Sequence, residues 1–140
     1  MVTVRVLSRF KDEPPTDWID DKDRIIPFGP LYPAEEVAKL VADSHAIRAV
    51  TKKCRNDMQN LEIDNEALAQ LIIKAIKTGR YRNSVWCRIK NKTIAACDSY
   101  VVFEKAWVEA AAKELESEYY LKFALNDAGK LLLVVSCHLS

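Results

Sequence analysis

The residue types best suited to chemistry gather near the end of the chain. Within YYLKFALNDAGKLLLVVSCH, residues 119–138, a phenol (Tyr120), an ammonium (Lys122), a hydroxyl (Ser136) and an imidazole (His138) recur at every second position. An imidazole titrates near neutral pH and serves as general acid or base. A phenol gives or takes a hydrogen bond, and an ammonium adds point charge. One exposed face carrying all of these suits acid–base chemistry on a phosphate. Arg82, earlier in the chain, offers the planar fork that meets phosphate oxygens in pairs.

The elements that must position these groups follow from periodicity. Leu121, Phe123 and Leu125 alternate with Tyr120, Lys122 and Ala124, and Leu131, Leu133 and Val135 alternate with Ser136 and His138, the period-two pattern of strands. Asp127-Ala128-Gly129 suits a three-residue hairpin loop. That loop sets Tyr120 opposite Ser136, with His138 a diagonal neighbour about 7–8 Å away. Val85–Ile89 and Thr93–Phe103 read as two more strands joined across Lys90-Asn91-Lys92. KAWVEAAAKELES, residues 105–117, is rich in alanine, glutamate and lysine and predicts a helix of about three turns.

Helices precede the strands. Asp64 caps a helix with Leu68, Leu71, Ile72, Ala75 and Ile76 on its buried stripe and Gly79 at its stop. Ala34 to Leu61 lacks glycine and proline and reads as two helices, the first opened by Pro33 and the second capped by Ser44. In residues 1–33, Val2, Val4 and Val6 suggest a short strand, followed by an acidic loop pinned by Trp18, Ile25, Ile26 and Phe28. The expected fold is α+β, with N-terminal helices on a mainly antiparallel sheet of four to five strands. The whole of 1–140 reads as one domain, 1–43 an extension with a possible edge strand and 44–140 the core.

Charge narrows the partners. Net charge is +1, but no acid lies between Glu66 and Asp98, where seven cations fall: Lys74, Lys77, Arg80, Arg82, Arg88, Lys90 and Lys92. With Tyr81 and Trp86 interleaved, this stretch suits phosphate neutralisation and base stacking. A solvated helix followed by a charged hairpin has the same composition. The expected RNA-binding set is Lys122, Arg80, Arg88, Tyr81 and Trp86. Four dispersed cysteines, Cys54, Cys87, Cys97 and Cys137, match no disulfide framework and read as reduced, buried thiols. Two distant histidines without a CxxC pair argue against a zinc site, so neither metal nor cofactor is expected. His45 reads as a surface or capping residue. Cys97 beside Asp98 reads as a buried strand thiol rather than a nucleophile. No apolar run spans a bilayer and the amino terminus lacks a secretory signal, so the expected compartment is the cytoplasm.

The order of elements and a series of short motifs carry a resemblance. LEIDNEALAQLI, GRYRNS, CDSY, YYLK and VVSCH, in that order between Ser44 and Ser140, resemble the MqsR family of toxins from bacterial toxin–antitoxin pairs. Members have a RelE-like fold and cut messenger RNA. Their corresponding positions carry an aromatic residue then lysine, Gln-Asp-x-Tyr, Tyr-Leu-Lys, and a last strand ending Ser-Phe-Lys. The resemblance implies functional positions at Arg82, Tyr120 and His138. Cys97 stands where the family has glutamine, and His138 where it has lysine. It further implies RNA as substrate and an antitoxin as partner.

Metal-free RNA cleavage proceeds by attack of the 2′-hydroxyl on the adjacent phosphorus. On that chemistry, His138 is acid or base, Arg82 and Lys122 supply charge to the transition state, Tyr120 orients, and Cys97, Asp98 and Ser136 support. A different class of protein fits the same residues: a non-catalytic interaction module, an immunity-like protein or adaptor that holds a protein partner on the same sheet.

Overall fold

A computed structural model describes residues 4–15 and 24–139. Trp18, Val2 and most of the acidic loop lie outside the described residues. Seven strands form one sheet in the order β2-β4-β5-β6-β7-β3, with β1 paired to β5. They are β1 Arg5–Val6, β2 Ile25–Ile26, β3 Ile47–Ala49, β4 Arg80–Lys90, β5 Thr93–Val108, β6 Lys113–Leu125 and β7 Leu132–Leu139. The helices are α1 Ala34–Val41, α2 Lys52–Asn60 and α3 Asn65–Thr78. The class is α+β as expected. β1 falls within the strand expected from Val4 and Val6; the sheet has more strands than expected because β2 and β3 are too short to show a period.

The helices form where caps and stripes dictate. Asp64 accepts the Ala67 N–H at 2.8 Å and opens α3, which buries Leu68, Leu71, Ile72 and Ala75. The second helix begins later than Ser44. Asp43 caps a short 3₁₀ turn over Ser44–Ala46, and β3 follows it. β3 runs parallel to β7, Ile47 beside Leu132, and Thr51 then caps α2 by accepting the Cys54 N–H. Ile47 and Val50, within the stretch expected to be the second helix, instead belong to this edge strand and its exit. Buried residues of all three helices join Tyr100, Val102, Leu121, Phe123 and Val134 in one core.

The expected helix at 105–117 is a correction. β5 runs on to Val108, a 3₁₀ turn spans Glu109–Ala111, and β6 starts at Lys113. Helix propensity is a weak preference that pairing overrides. Beneath the helix-like composition lies a period of two: Phe103 faces Glu118, Lys105 faces Glu116 and Trp107 faces Glu114 across the ribbon. The Lys105–Glu116 pair sets opposite charges directly across the strands, which favours the ribbon. Ala112 takes a positive φ of 50° to close the turn.

The amino-terminal segments are threaded into the same sheet. Val6 lies parallel to Ile94, and the Ser8 hydroxyl accepts the Ala96 N–H at 2.9 Å. The segment around Gly29 packs on β4 so closely that a Cβ there would stand 2.1 Å from the Tyr81 hydroxyl and 2.3 Å from that of Ser84. Gly29→Ala must displace both, a clash of the overpacking kind that costs about 1–3 kcal/mol. Its melting temperature should fall accordingly; an unchanged melting temperature would contradict this packing.

Candidate functional site

The expected site residues divide into those brought together on one sheet face and those turned inward. Tyr120 and His138 face each other directly across β6 and β7, with rings stacked 5.1 Å apart at 25°. Lys122 pairs with Ser136. This differs from the expected register, in which Tyr120 faced Ser136. The loop after Leu125 is one residue longer than expected, and the pairing then shifts between Lys122 and Phe123, leaving Val135 as the extra residue of a bulge. Asn126 shapes that loop, its side chain accepting the Lys130 and Leu131 N–H groups at 2.9 and 3.0 Å. The longer loop and the bulge each shift the register by one residue, and together they turn a diagonal contact into a direct one.

Arg82 reaches the same cluster by a second irregularity. The β4–β5 pairing shifts between Tyr81 and Asn83, and Arg82 falls in the gap. A bulge re-aims its side chain, and here the guanidinium comes 5.8 Å from the Tyr120 ring centre. The Lys122 ammonium stands 5.5 Å from the same ring. Two cations thus flank one phenol, and among the described residues neither forms a salt bridge with a carboxylate. Cations held against an aromatic face and left without acidic partners favour an anion between them.

One backbone hydrogen bond fixes the His138 ring. Its Nδ1–H donates to the Leu139 carbonyl at 2.9 Å, an assignment that follows from the carbonyl being an acceptor only. In the neutral ring this leaves Nε2 as the acceptor nitrogen. For Lys122, burial alone would lower the ammonium. The neighbouring Cys87 and Tyr120 outweigh burial and hold it above the usual lysine value.

Other expected residues serve structure. Trp86, expected to stack on bases, is 3% exposed and packs against Phe10 at 6.0 Å in a second small core. Its ring is therefore part of the interior. Tyr81 lies edge-on to Tyr100 at 5.6 Å, and its hydroxyl bonds that of Ser84 at 2.7 Å. Arg80 and Arg88 are exposed on β4, and Arg88 borders a cavity of about 410 Å³ beside the cluster, with Lys122 and Arg24 on other parts of its wall. Arg24, immediately before the two-residue strand β2, lies in a stretch too short to leave a periodic signal. Cys97 is fully buried, and burial first, then Cys87, pushes its thiol well up, which removes it as a nucleophile. His45 is exposed beside Asp43, bonded at 3.1 Å. Among the described residues no group of histidine, cysteine and carboxylate side chains could hold a metal, and no helix is long and apolar enough to cross a membrane.

Asp98 supports the site from beneath. Fully buried, it accepts the Leu31 N–H at 2.9 Å, the Tyr32 N–H at 3.1 Å and the Ser84 hydroxyl at 2.6 Å. Ser84 in turn accepts from Tyr81, next in sequence to Arg82. Comparison with known proteins finds no matching family model, no matching curated protein and no matching solved structure. The chemistry of the site is therefore read from its own geometry.

Burial raises the Asp98 carboxyl against the pull of these hydrogen bonds. The folded chain then holds that proton to higher pH than the unfolded chain. Stability should fall as pH rises from the ordinary carboxylate range to the raised value. Asp98→Asn should lose about 2 kcal/mol or more, since buried donors lose a charged acceptor. It should also lose that slope in denaturant midpoints taken across the acid range; an equal slope in both proteins would contradict the assignment.

Proposed function

We propose that the chain is a metal-independent endoribonuclease of the toxin–antitoxin type, acting in the cytoplasm on messenger RNA at the open face of its sheet. The observation that carries this reading is the convergence of Arg82, Tyr120, Lys122 and His138 from three strands onto one face. A phosphodiester seated between the Arg82 guanidinium and the Lys122 ammonium has both its charge and its developing transition-state charge neutralised. His138 Nε2 takes the proton of the ribose 2′-hydroxyl. That oxygen then forms a bond to phosphorus while the bond to the 5′-oxygen breaks, and the departing oxygen is protonated from water or the Lys122 ammonium. Tyr120, stacked on the imidazole and flanked by both cations, keeps the three groups in register. The requirement for a 2′-hydroxyl restricts the substrate to RNA.

The substitutions that distinguish this protein from the family it resembles fit the same scheme. His138 in place of lysine supplies a titratable group, and Cys97 in place of glutamine is buried and contributes nothing to the face. The likeness in motif order to the MqsR family supports the reading without establishing membership.

One observation favours a second reading, a non-catalytic module that holds a protein partner. The β5–β6 ribbon exposes Phe103 and Trp107 at 51% and 59% on the face that also carries Glu114 and Glu116. On the first reading this ribbon is where an antitoxin docks. On the second it is the whole function.

The two separate cleanly. His138→Ala should slow cleavage of a messenger transcript by about 10²–10⁴-fold, the usual contribution of a positioned general base. Arg82→Ala should slow it by about 10²–10³-fold, as for loss of one transition-state charge contact. Both variants should relieve growth arrest caused by expression of the parent protein. Cleavage by His138→Ala at the parent rate would refute the assignment, and intact RNA with the parent protein would leave the interaction module standing.

A further inference from the structure

The β5–β6 ribbon runs on past the rest of the sheet. β4 begins at Arg80, opposite Val101, and β7 reaches β6 only as far as Tyr119, opposite Leu139. From Phe103 to Val108 and from Lys113 to Glu118 the two strands pair, among the described residues, only with each other. At about 3.3 Å per residue this stretch projects about 20 Å. A two-stranded ribbon standing alone in water is marginally stable. Beside the root of its β5 edge, a cavity of about 300 Å³ lies between Thr78–Arg80, where α3 gives way to β4, and Val101–Phe103. An added strand has room to begin there, in the lateral position that β4 fills further along.

The two edges differ in what they repel. On the open face β6 carries Glu114, Glu116 and Glu118 at every second position, across from Trp107, Lys105 and Phe103 on β5. Antiparallel pairing sets residues of one face opposite each other, and like charges directly opposite destabilise a pair. A second copy laid along the β6 edge therefore meets glutamate with glutamate in any register that brings these residues alongside. Charged edges of this kind guard sheets against strand addition. The β5 edge offers one cation on that face, Lys105, between aromatic side chains that are 51% and 59% exposed. On the reverse face Glu104 is already engaged, bonded to Lys74 of α3 at 2.6 Å.

Phe103 and Trp107 stand equally far from Lys105, which makes this edge complementary to itself. We propose that a second copy of the chain adds its β5 to this edge, antiparallel, about a two-fold axis at Lys105. Phe103 then lies opposite the partner's Trp107, and Trp107 opposite the partner's Phe103. Cross-strand aromatic pairs stabilise sheets, and two of them form, one on each side of the axis. The two ammoniums that meet at the axis oppose pairing, and Glu116, directly across the ribbon from Lys105, offsets each within its own chain. The same surface is used by both copies, so the contact closes at two rather than growing into a filament.

The axis stands normal to the sheet, which leaves both open faces on the same side. If the cluster cuts RNA as proposed above, the dimer offers two cleavage sites to one strand; the pairing itself does not depend on that reading. The β6 edge stays uncovered and available to a different protein.

The test is sedimentation of the full-length purified protein, without RNA, over a concentration series. A reversible monomer–dimer equilibrium is expected, because a contact confined to one edge belongs with the small, weak interfaces. Trp107→Glu should weaken it about thirtyfold, as for loss of a central interface aromatic. Lys105→Met should tighten it about threefold by removing the like charges at the axis. Two cysteine variants then locate the contact under mild oxidation. Directly opposite residues lie about 4.5–5.5 Å apart at Cα, within reach of a disulfide, so Lys105→Cys should link to itself between chains. Glu116→Cys, on the same face of the other edge, should not, and the parent protein, whose four cysteines are buried, is the control. A protein that stays monomeric into the millimolar range would overturn the proposal, as would a dimer that Trp107→Glu leaves intact or in which Glu116→Cys links as fast as Lys105→Cys. If circular dichroism shows that Trp107→Glu disrupts the fold, Lys105→Met and the two cysteine variants decide the matter.

Discussion

A single buried carboxylate holds the molecule's two halves together. Asp98 is fully enclosed and, among the described residues, has no cation paired to it; its charge is met by two backbone N–H groups and one hydroxyl. Burying a charge without such partners costs several kcal/mol, so the segment that supplies them is bound to stay in place. That segment, through Leu31 and Tyr32, is the strap that joins the amino-terminal part of the chain to the central strands. Tyr32 closes the arrangement from the other side, its hydroxyl donating to the Ala96 carbonyl at 2.5 Å. The chain of hydroxyls from Asp98 through Ser84 to Tyr81 then fixes the strand position next to Arg82. Anchoring the inward-facing Tyr81 leaves the bulged Arg82 free to turn outward.

The cluster on the open face depends on two departures from regular pairing, at Arg82 and at Val135. A regular β4–β5 ladder would carry Arg82 in the alternation of its neighbours, and a regular β6–β7 ladder would separate Tyr120 from His138. Each bulge re-aims one side chain, and together they bring an arginine, a phenol, a lysine and an imidazole within reach of one phosphate. The same curvature lays Lys122 between Tyr120 on one side and Cys87 on the other.

Much of this was legible in the residues, and the rest was hidden for identifiable reasons. The closing hairpin, the β4–β5 pair and the Asp64-capped helix followed from period and punctuation, because each is long enough to repeat its pattern. The grouping of Tyr120, Lys122, Ser136 and His138 followed from that hairpin. Its register did not, since a bulge at Val135 and a longer loop leave no mark in composition. The ribbon at 105–117 was obscured by alanine and glutamate, whose helical preference yields to cross-strand pairing. Trp86 looked like a stacking platform because sequence does not reveal that the amino-terminal segment covers it.

The open face is proposed to cut RNA with the substrate's own 2′-hydroxyl and without a metal. The most direct measurement is of the ends left on a messenger fragment incubated with the purified protein in excess chelator. The expected products carry 2′,3′-cyclic phosphate and 5′-hydroxyl ends, with no cut at a site whose ribose is replaced by 2′-deoxyribose. Cleavage that requires an added divalent cation, or that proceeds at the deoxy position, would contradict it.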